Sequence, residues 1–189
     1  AIIDQLDGQP LATFKQTLRT VRYSPFVELD VELDITRMPE GDPWSNYFTS
    51  RFAFNDATSA VTRNTLGSAQ PAGRDRFESP YFVEIANETQ RVAIIAPGLP
   101  FYRRTDDRML DAILVPEGET QRRFSLRIAV DHPYPQSASL DALIPPLQHN
   151  GLTGPPAAAD HGWFFHLDAP NVQITRVLDL VEPPAWTPD

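Results

Sequence analysis

The chain has 189 residues, which is enough for one domain with a substantial apolar core. A formal charge of −9 disfavours nucleic-acid binding, because phosphates attract a basic face, and the absence of cysteine excludes disulfides and thiolate metal sites. No apolar run approaches the roughly 20 residues that span a membrane, and no targeting segment opens the sequence. We therefore expect a soluble protein of undetermined compartment that binds neither nucleic acid nor membrane.

Alternating apolar and polar residues predict antiparallel strands from residue 12 onwards. Phe26–Ile35 alternates without interruption, so that five aliphatic side chains face one way and four carboxylates the other. Carboxylates on one face of a strand stand about 6–7 Å apart, too far to bind one calcium ion, which indicates a solvated face. The predicted strands are residues 12–23, 26–35, 47–54, 59–66, 81–86, 91–96, 110–115, 123–130, 162–167 and 172–181.

Proline and glycine positions complete the prediction of the fold class. Nineteen prolines, roughly twice the average share, argue against long helices. About ten strands with short turns predict an all-β fold, a large antiparallel β-sandwich with few or no helices. We expect a single domain over residues 1–189, with a long irregular loop at residues 143–160. The first residue is not methionine and the last residues are rich in proline, which favours a domain excised from a longer protein or a processed product.

Two segments carry the candidate binding residues, and the first is residues 43–56. Trp44 and Tyr47 offer ring faces to the C–H groups of a sugar, and polar side chains nearby offer hydrogen bonds to its hydroxyls. The polar candidates are Arg51, Asn55 and Asp56. The alternative interpretation is that the aromatic side chains belong to the core and that Arg51 is a buried brace.

The second segment, residues 98–119, contains three arginines and five carboxylates. Such paired charges beside aromatic rings suit either the binding of a polyhydroxylated ligand or the bracing of a partner domain. The alternative is a solvated hairpin, since surface ion pairs stabilise a fold only slightly. The candidates in this segment are Tyr102, Arg103, Arg104, Arg108 and Asp111.

The sequence contains no recognisable catalytic motif: HExxH, GxSxG, a P-loop and GxGxxG are all absent. His161 and His166 are five residues apart, which places them on opposite faces of a strand, so we predict no metal site. No two carboxylates stand out as a glycosidase pair. A mutarotase-type acid/base couple would have to join His132 to Glu117 or Glu119. We therefore predict no catalytic residue in this chain.

Four motifs follow one another between residues 42 and 111. They are Asp42-Pro-Trp with Tyr47 and Ser50-Arg-Phe-Ala-Phe-Asn-Asp56, then Phe77-Glu-Ser-Pro-Tyr-Phe-Val-Glu84, Gly98-Leu-Pro-Phe-Tyr-Arg-Arg104 and Arg108-Met-Leu-Asp111. In this order they resemble the C-terminal β-sandwich region of glycoside hydrolase family 38, the α-mannosidases and their relatives. The resemblance extends over residues 11–135 and implies a galactose-mutarotase-like supersandwich. Tyr102 stands where that family usually has a histidine.

The resemblance also implies a role. In that family the zinc, its ligands and the nucleophilic aspartate belong to an N-terminal α/β domain, which nothing in this sequence matches. It therefore implies a non-catalytic accessory domain that shapes or stabilises the sugar-binding cleft of a glycosidase, with the zinc held by the catalytic α/β domain of the same parent chain. The implied positions at the cleft or domain interface are Arg51, Asn55, Asp56, Arg103, Arg104, Arg108 and Asp111. Two alternatives stay open, a stand-alone carbohydrate-binding domain and a mutarotase-like aldose epimerase.

Overall fold

The computed structural model describes residues 9–65, 67–73, 75–144, 168, 169 and 172, together with the backbone of residues 2–6. By its internal contacts the chain divides into two units, Ala1–Gln148 and His149–Asp189, and every element below lies in the first. The strands predicted at residues 162–167 and 172–181, and the irregular loop beyond residue 144, lie outside the described residues apart from Val172. The single domain over residues 1–189 stays a prediction.

Twelve strands and one helix make up the described part of the chain. In order they are β1 (Ile2–Leu6), β2 (Gln9–Thr20), β3 (Phe26–Ile35), β4 (Phe48–Ala53), β5 (Ala60–Thr65), β6 (Ser68–Pro71), β7 (Arg76–Glu78), β8 (Val83–Ala86), β9 (Arg91–Ile95), β10 (Phe101–Asp106), β11 (Met109–Val115), β12 (Arg123–Val130) and α1 (Pro135–Leu143).

The strands form two antiparallel sheets. The large sheet has eight strands in the order β1-β2-β3-β12-β9-β8-β5-β6, and the small sheet has four in the order β4-β11-β10-β7. Two sheets with one short helix confirm the predicted all-β, sandwich-like fold. The connection from β3 to β4 is the first point at which the chain passes from the large sheet to the small one.

The core lies between the two sheets. Leu29, Val31 and Leu33 of β3 are buried on its inner face, as the alternation of this strand predicts, and Leu126 of β12 is fully buried beside them. From the small sheet, side chains such as Leu110 complete the same cluster. Each fully buried aliphatic side chain contributes about 1.5–3 kcal/mol of transfer free energy, so this layer stabilises both sheets together.

Tyr102 belongs to this core, which contradicts its prediction as a carbohydrate or interface residue. Its side chain is fully buried and its ring stacks on Phe77 at 5.8 Å between centroids. The hydroxyl has no hydrogen-bond partner among the described residues, and burial raises the pKa of the phenol far above its ordinary value. The alternation of β10 explains the position, because Tyr102 faces inward when Arg103 faces outward.

The outer face of β3 carries the four carboxylates that the sequence predicts there, and three of them are paired. Arg19 of β2 contacts Glu28 and Asp30, and Arg123 of β12 lies 2.8 Å from Glu32. The register places these arginines opposite or diagonal to the carboxylates, so cations from both neighbouring strands compensate the acidic stripe. The face is therefore a half-exposed ladder of ion pairs.

Helix α1 packs on the outer face of the large sheet. Ala138 is buried against Phe82 and Ile95, in a small apolar cluster separate from the main core. Prolines at positions 133 and 135 are by themselves typical of a turn. Pro135 instead occupies the first turn of the helix, where no backbone N–H is needed, so proline opens a helix here.

Candidate functional site

Residues 40–47, between β3 and β4, lie across the outer face of the small sheet, and we call them the strap. Its polar groups close a turn on themselves: Asp42 accepts hydrogen bonds from Ser45 Oγ at 2.6 Å and from the Trp44 amide at 3.1 Å. The Ser45 and Trp44 bonds lower the pKa of the Asp42 carboxyl. Asn46 Nδ2 donates to the carbonyl oxygen of Glu40 at 3.0 Å. The strap thus has a defined conformation of its own.

Three contacts tie the strap to the small sheet and to the turn after β11. Arg103 Nη1 donates to the Trp44 carbonyl at 2.8 Å, and the Gly41 amide donates to Glu117 Oε2 at 2.9 Å. The Trp44 ring meets Phe101 of β10 edge to face, with 5.8 Å between centroids. These contacts fix Gly41 and Trp44 of the strap to two separate parts of the chain.

Asp111 is the centre of the surface beneath the strap. It points away from the core on β11, yet it is completely buried. Arg51 of β4 donates to it twice, through Nε at 2.6 Å and Nη2 at 2.9 Å, and Tyr47 of the strap donates its hydroxyl at 2.9 Å. A forked arginine and a phenol together satisfy a carboxylate that burial would otherwise destabilise.

The sheet register explains why these groups meet. Asp111 lies opposite Arg51 on β4 and opposite Arg103 on β10, and Arg103 lies opposite Arg76 on β7. One row therefore crosses all four strands, with a single carboxylate among three guanidinium groups. A further carboxylate comes from the strap, since Asp42 lies 3.8 Å from Arg76. We call Tyr47, Arg51, Arg103 and Asp111 the Asp111 cluster.

Hydrogen bonding within the Asp111 cluster favours the protonated forms of Tyr47 and Arg51. Burial, followed by the hydrogen bond to Asp111, raises the pKa of the Tyr47 phenol above 10.0, so this hydroxyl stays protonated at neutral pH. The bond to Asp111 likewise raises the pKa of Arg51, which is always a cation. Both groups therefore keep their protons at neutral pH while they hold Asp111.

The structure brings together four of the predicted site residues. Trp44, Arg51, Arg103 and Asp111 all lie on the outer face of the small sheet or in the strap over it. Beside them, Trp44 and Phe101 line an apolar cavity of about 110 Å³ together with two prolines and Ile113. The alternative in which Arg51 is a buried brace is partly right, because its bonds to Asp111 are buried while half of its side chain is exposed.

The other predicted site residues do not lie with these four. Arg104 donates to the carbonyl oxygen of Asp107 at 2.9 Å, and Arg108 donates to the carbonyl oxygen of Asn55 at 3.4 Å. These two arginines secure the turn between β10 and β11. Asp56 accepts bonds from both the amide and the hydroxyl of Thr58 in a separate turn, and these bonds lower the pKa of its carboxyl.

Asp42 and Arg76 also belong to this surface, but neither is predicted as a site residue from the sequence. Asp42 belongs to the first of the four motifs. Its role in closing the turn, by accepting a hydrogen bond from Ser45, is visible only in the folded chain. Arg76 lies on the three-residue strand β7, which is too short for alternation to reveal. The position of Tyr47 beside Arg51 could be predicted from the sequence. Residues 47, 49 and 51 of the predicted strand share one face, because side chains alternate between the two faces of a strand.

The histidine and glutamates considered for a mutarotase-type couple are far apart. His132 follows β12 and Glu119 precedes it, so the eight residues of this strand separate them by about 25 Å. His132 stacks on Phe26, and its Nδ1 accepts a bond from the Tyr134 amide at 3.2 Å. Glu117 holds the strap through Gly41. The strand between them therefore keeps His132 and Glu119 from forming the acid/base couple that the mutarotase alternative requires.

Two further properties concern the described part of the chain. It contains no group of three or more His, Cys, Asp or Glu side chains placed to hold a metal ion. Within the same residues, no helix has both the length and the hydropathy to cross a membrane.

Solved structures with a similar fold come from Enterococcus faecalis. An alpha-mannosidase from strain V583 matches 71% of this chain at 12% identity and a TM-score of 0.55, and a protein in the glycosyl hydrolase family 38 matches 71% at 12% identity and a TM-score of 0.54. The chain has the fold of part of an α-mannosidase. The resemblance stated from the sequence is thereby confirmed at the level of the fold.

The match spans only a small part of those α-mannosidases, 17% of one chain and 18% of the other. An identity of 12% shows a shared fold and not a shared site. The sequence itself matches no protein-family model and no curated protein. The similarity therefore assigns an architecture that occurs within larger glycosidases, and the activity of those proteins enters only as a proposal.

Proposed function

We propose that this chain is a non-catalytic accessory domain of a larger α-mannosidase-like glycoside hydrolase, in which it supports the wall of the sugar-binding cleft. The observation that carries the proposal is the fold: 71% of this chain matches less than a fifth of two family 38 structures. In such a protein the chemistry, including the zinc, would belong to the catalytic α/β domain that is its partner.

The geometry of the small sheet supports this role. The strap is fixed at Gly41 by Glu117, at Trp44 by Arg103 and at Tyr47 by Asp111. A surface that is already rigid loses little conformational entropy when a partner domain docks on it. The exposed half of Arg51 and the partly exposed ring of Phe101 remain available to that partner. A brace of this kind positions a wall without taking part in the reaction.

Turnover of an aryl α-mannoside tests the proposal. We expect residues 1–189 to hydrolyse none, with or without zinc, whereas the complete product of the gene that encodes this chain should hydrolyse it in the presence of zinc. In that complete protein, Arg51→Ala should lower kcat/KM by about tenfold, because the cleft wall loses its anchor. Arg22→Ala, at the exposed turn after β2, is the matched control and should leave kcat/KM unchanged.

Two results would contradict the proposal. One is turnover by residues 1–189 alone that disappears when a residue of this chain is replaced. The other is a complete gene product that has no mannosidase activity with zinc.

A further inference from the structure

A second cavity lies on the side of the strap that faces β2. It has a volume of about 360 Å³, within the range of small-ligand sites. Leu11 of β2, Met38 and Phe48 of β4 form its apolar lining, and Tyr47 adds an aromatic ring. Apolar side chains with an aromatic face suit the C–H surface of a sugar ring.

Two exposed side chains of opposite charge, Arg37 and Glu40, line this cavity. Neither side chain has a hydrogen bond or ion pair among the described residues, and they are not within ion-pair distance of each other. This differs from the outer face of β3, where Arg19 and Arg123 are paired with carboxylates. A guanidinium only donates and a carboxylate only accepts, so together they match hydroxyl groups, which do both.

Asn46 extends the polar side of the cavity. Its Nδ2 donates to the Glu40 carbonyl, which orients the amide and leaves its side-chain oxygen with no bond in the described part of the chain. The charges of Arg37 and Glu40 cancel, so the cavity favours a ligand without net charge. An uncharged polyhydroxylated ring satisfies the donors, the acceptors and the apolar lining at once.

The walls of the cavity are held in place before any ligand binds. The amides of Thr36 and Arg37 both donate to the Leu11 carbonyl, at 2.9 and 3.1 Å. Arg122 Nη2 contacts the Met38 sulfur at 3.2 Å, and Tyr47 is fixed by its bond to Asp111. The backbone and the apolar walls are thus in place, and binding must order the exposed side chains of Arg37 and Glu40.

We propose that this cavity binds a neutral hexopyranose, with Arg37, Glu40 and Asn46 as its hydrogen-bonding groups. The cavity is separate from the Asp111 cluster, and Tyr47 is the one residue of that cluster in its lining. The inference rests on the proposed function only in that a mannoside is the first sugar to be tested.

Titration of isotope-labelled protein with methyl α-mannoside, followed by NMR, tests the inference, with the methyl glucoside and galactoside as further probes. We expect saturable shifts at residue 11 and residues 37–48 with at least one of the three sugars, and a Kd of about 1 mM, as is usual for so small a ligand. Arg37→Ala and Glu40→Gln should each weaken binding by about tenfold or more. The matched controls Arg22→Ala and Glu88→Gln should bind as the unaltered protein does.

The inference is overturned if none of the three sugars gives saturable shifts, or if both cavity variants bind as tightly as the unaltered protein. This readout is independent of turnover. Sugar binding by a protein whose complete gene product is inactive on mannosides would contradict the proposed function alone. Mannosidase activity of the gene product without sugar binding here would contradict the inference alone.

Discussion

Asp111 shows how a single buried carboxylate can organise a surface. It accepts three hydrogen bonds, two from Arg51 and one from Tyr47, and through them it joins β4, β11 and the strap. Since the carboxylate is completely buried, its partners cannot be replaced by water without opening the strap. The residue acts by holding other groups in position.

Asp111→Ala should destabilise the fold by about 2–3 kcal/mol. This is below the usual cost of breaking a buried pair, because the guanidinium of Arg51 is half exposed and can be rehydrated. Asp107→Ala is the control, since Asp107 is exposed and contributes only its backbone carbonyl. Urea unfolding of both variants measures the difference, and equal midpoints would show that the Asp111 cluster stabilises nothing.

Tyr47 should make the free energy of unfolding depend on pH in the alkaline range. Its phenol has a pKa raised above 10.0 in the folded chain, so the folded state retains the proton more strongly than the unfolded state. The resulting stabilisation is fully present below about pH 10 and is lost as pH rises through the folded pKa. The stability difference between the unaltered protein and Tyr47→Phe should therefore shrink as the pH rises above about 10 in urea unfolding. A difference that does not change with pH would exclude this titration.

Among the elements, β3 and β12 could be predicted with their inward faces, because period two in a long strand is a local property of the sequence. Four strands were missed: β1, β6, β7 and β10. Strands of three or four residues such as β6 and β7 are too short to show an alternating pattern. They form by pairing with the unpaired backbone groups at the edge of a sheet. β10 was missed because its charged residues obscure the alternation; of these, Arg103 faces outward beneath the strap.

The turn between β11 and β12 depends on the backbone of Gly118. Its φ is +84°, in a region that side-chain-bearing residues rarely adopt, although a Cβ there would meet no atom within 4 Å. Gly118→Ala should therefore cost about 1 kcal/mol through backbone strain alone. Gly73→Ala is a matched control, since it too has open space around it and no positive φ, and it should be neutral or slightly stabilising. Thermal unfolding of both variants decides the point, and equal loss in the two would contradict it.

At the scale of the whole molecule, the two sheets share one core. Leu126 of the large sheet belongs to the same buried cluster as Leu110 of the small sheet. Leu126→Ala should cost about 2–5 kcal/mol by leaving a cavity between the sheets, whereas Leu18→Ala, at a side chain 67% exposed, should change stability little. Amide hydrogen exchange should then show lower protection in both sheets of the Leu126 variant. Unchanged protection in the small sheet would show that the sheets unfold independently.

The fold class could be read from the sequence because alternation, prolines and turn residues act over a few residues at a time. The motifs between residues 42 and 111 likewise indicated the α-mannosidase fold that the solved structures confirm. The assembly of the site could not be read in this way. Arg51 and Asp111 are 60 residues apart and meet only because β4 and β11 pair in one register.

The same holds for the two cavities beside the strap. In the sequence, Asp42 looks like an ordinary loop residue and Arg37 like one more exposed cation, whereas Trp44 and Tyr47 are predicted only as aromatic faces for a sugar. Their roles depend on where the strap lies and on which charges the neighbouring strands leave unpaired. Alternation is a local property that every strand carries with it, whereas strand register and loop placement depend on long-range packing, which only the folded chain decides.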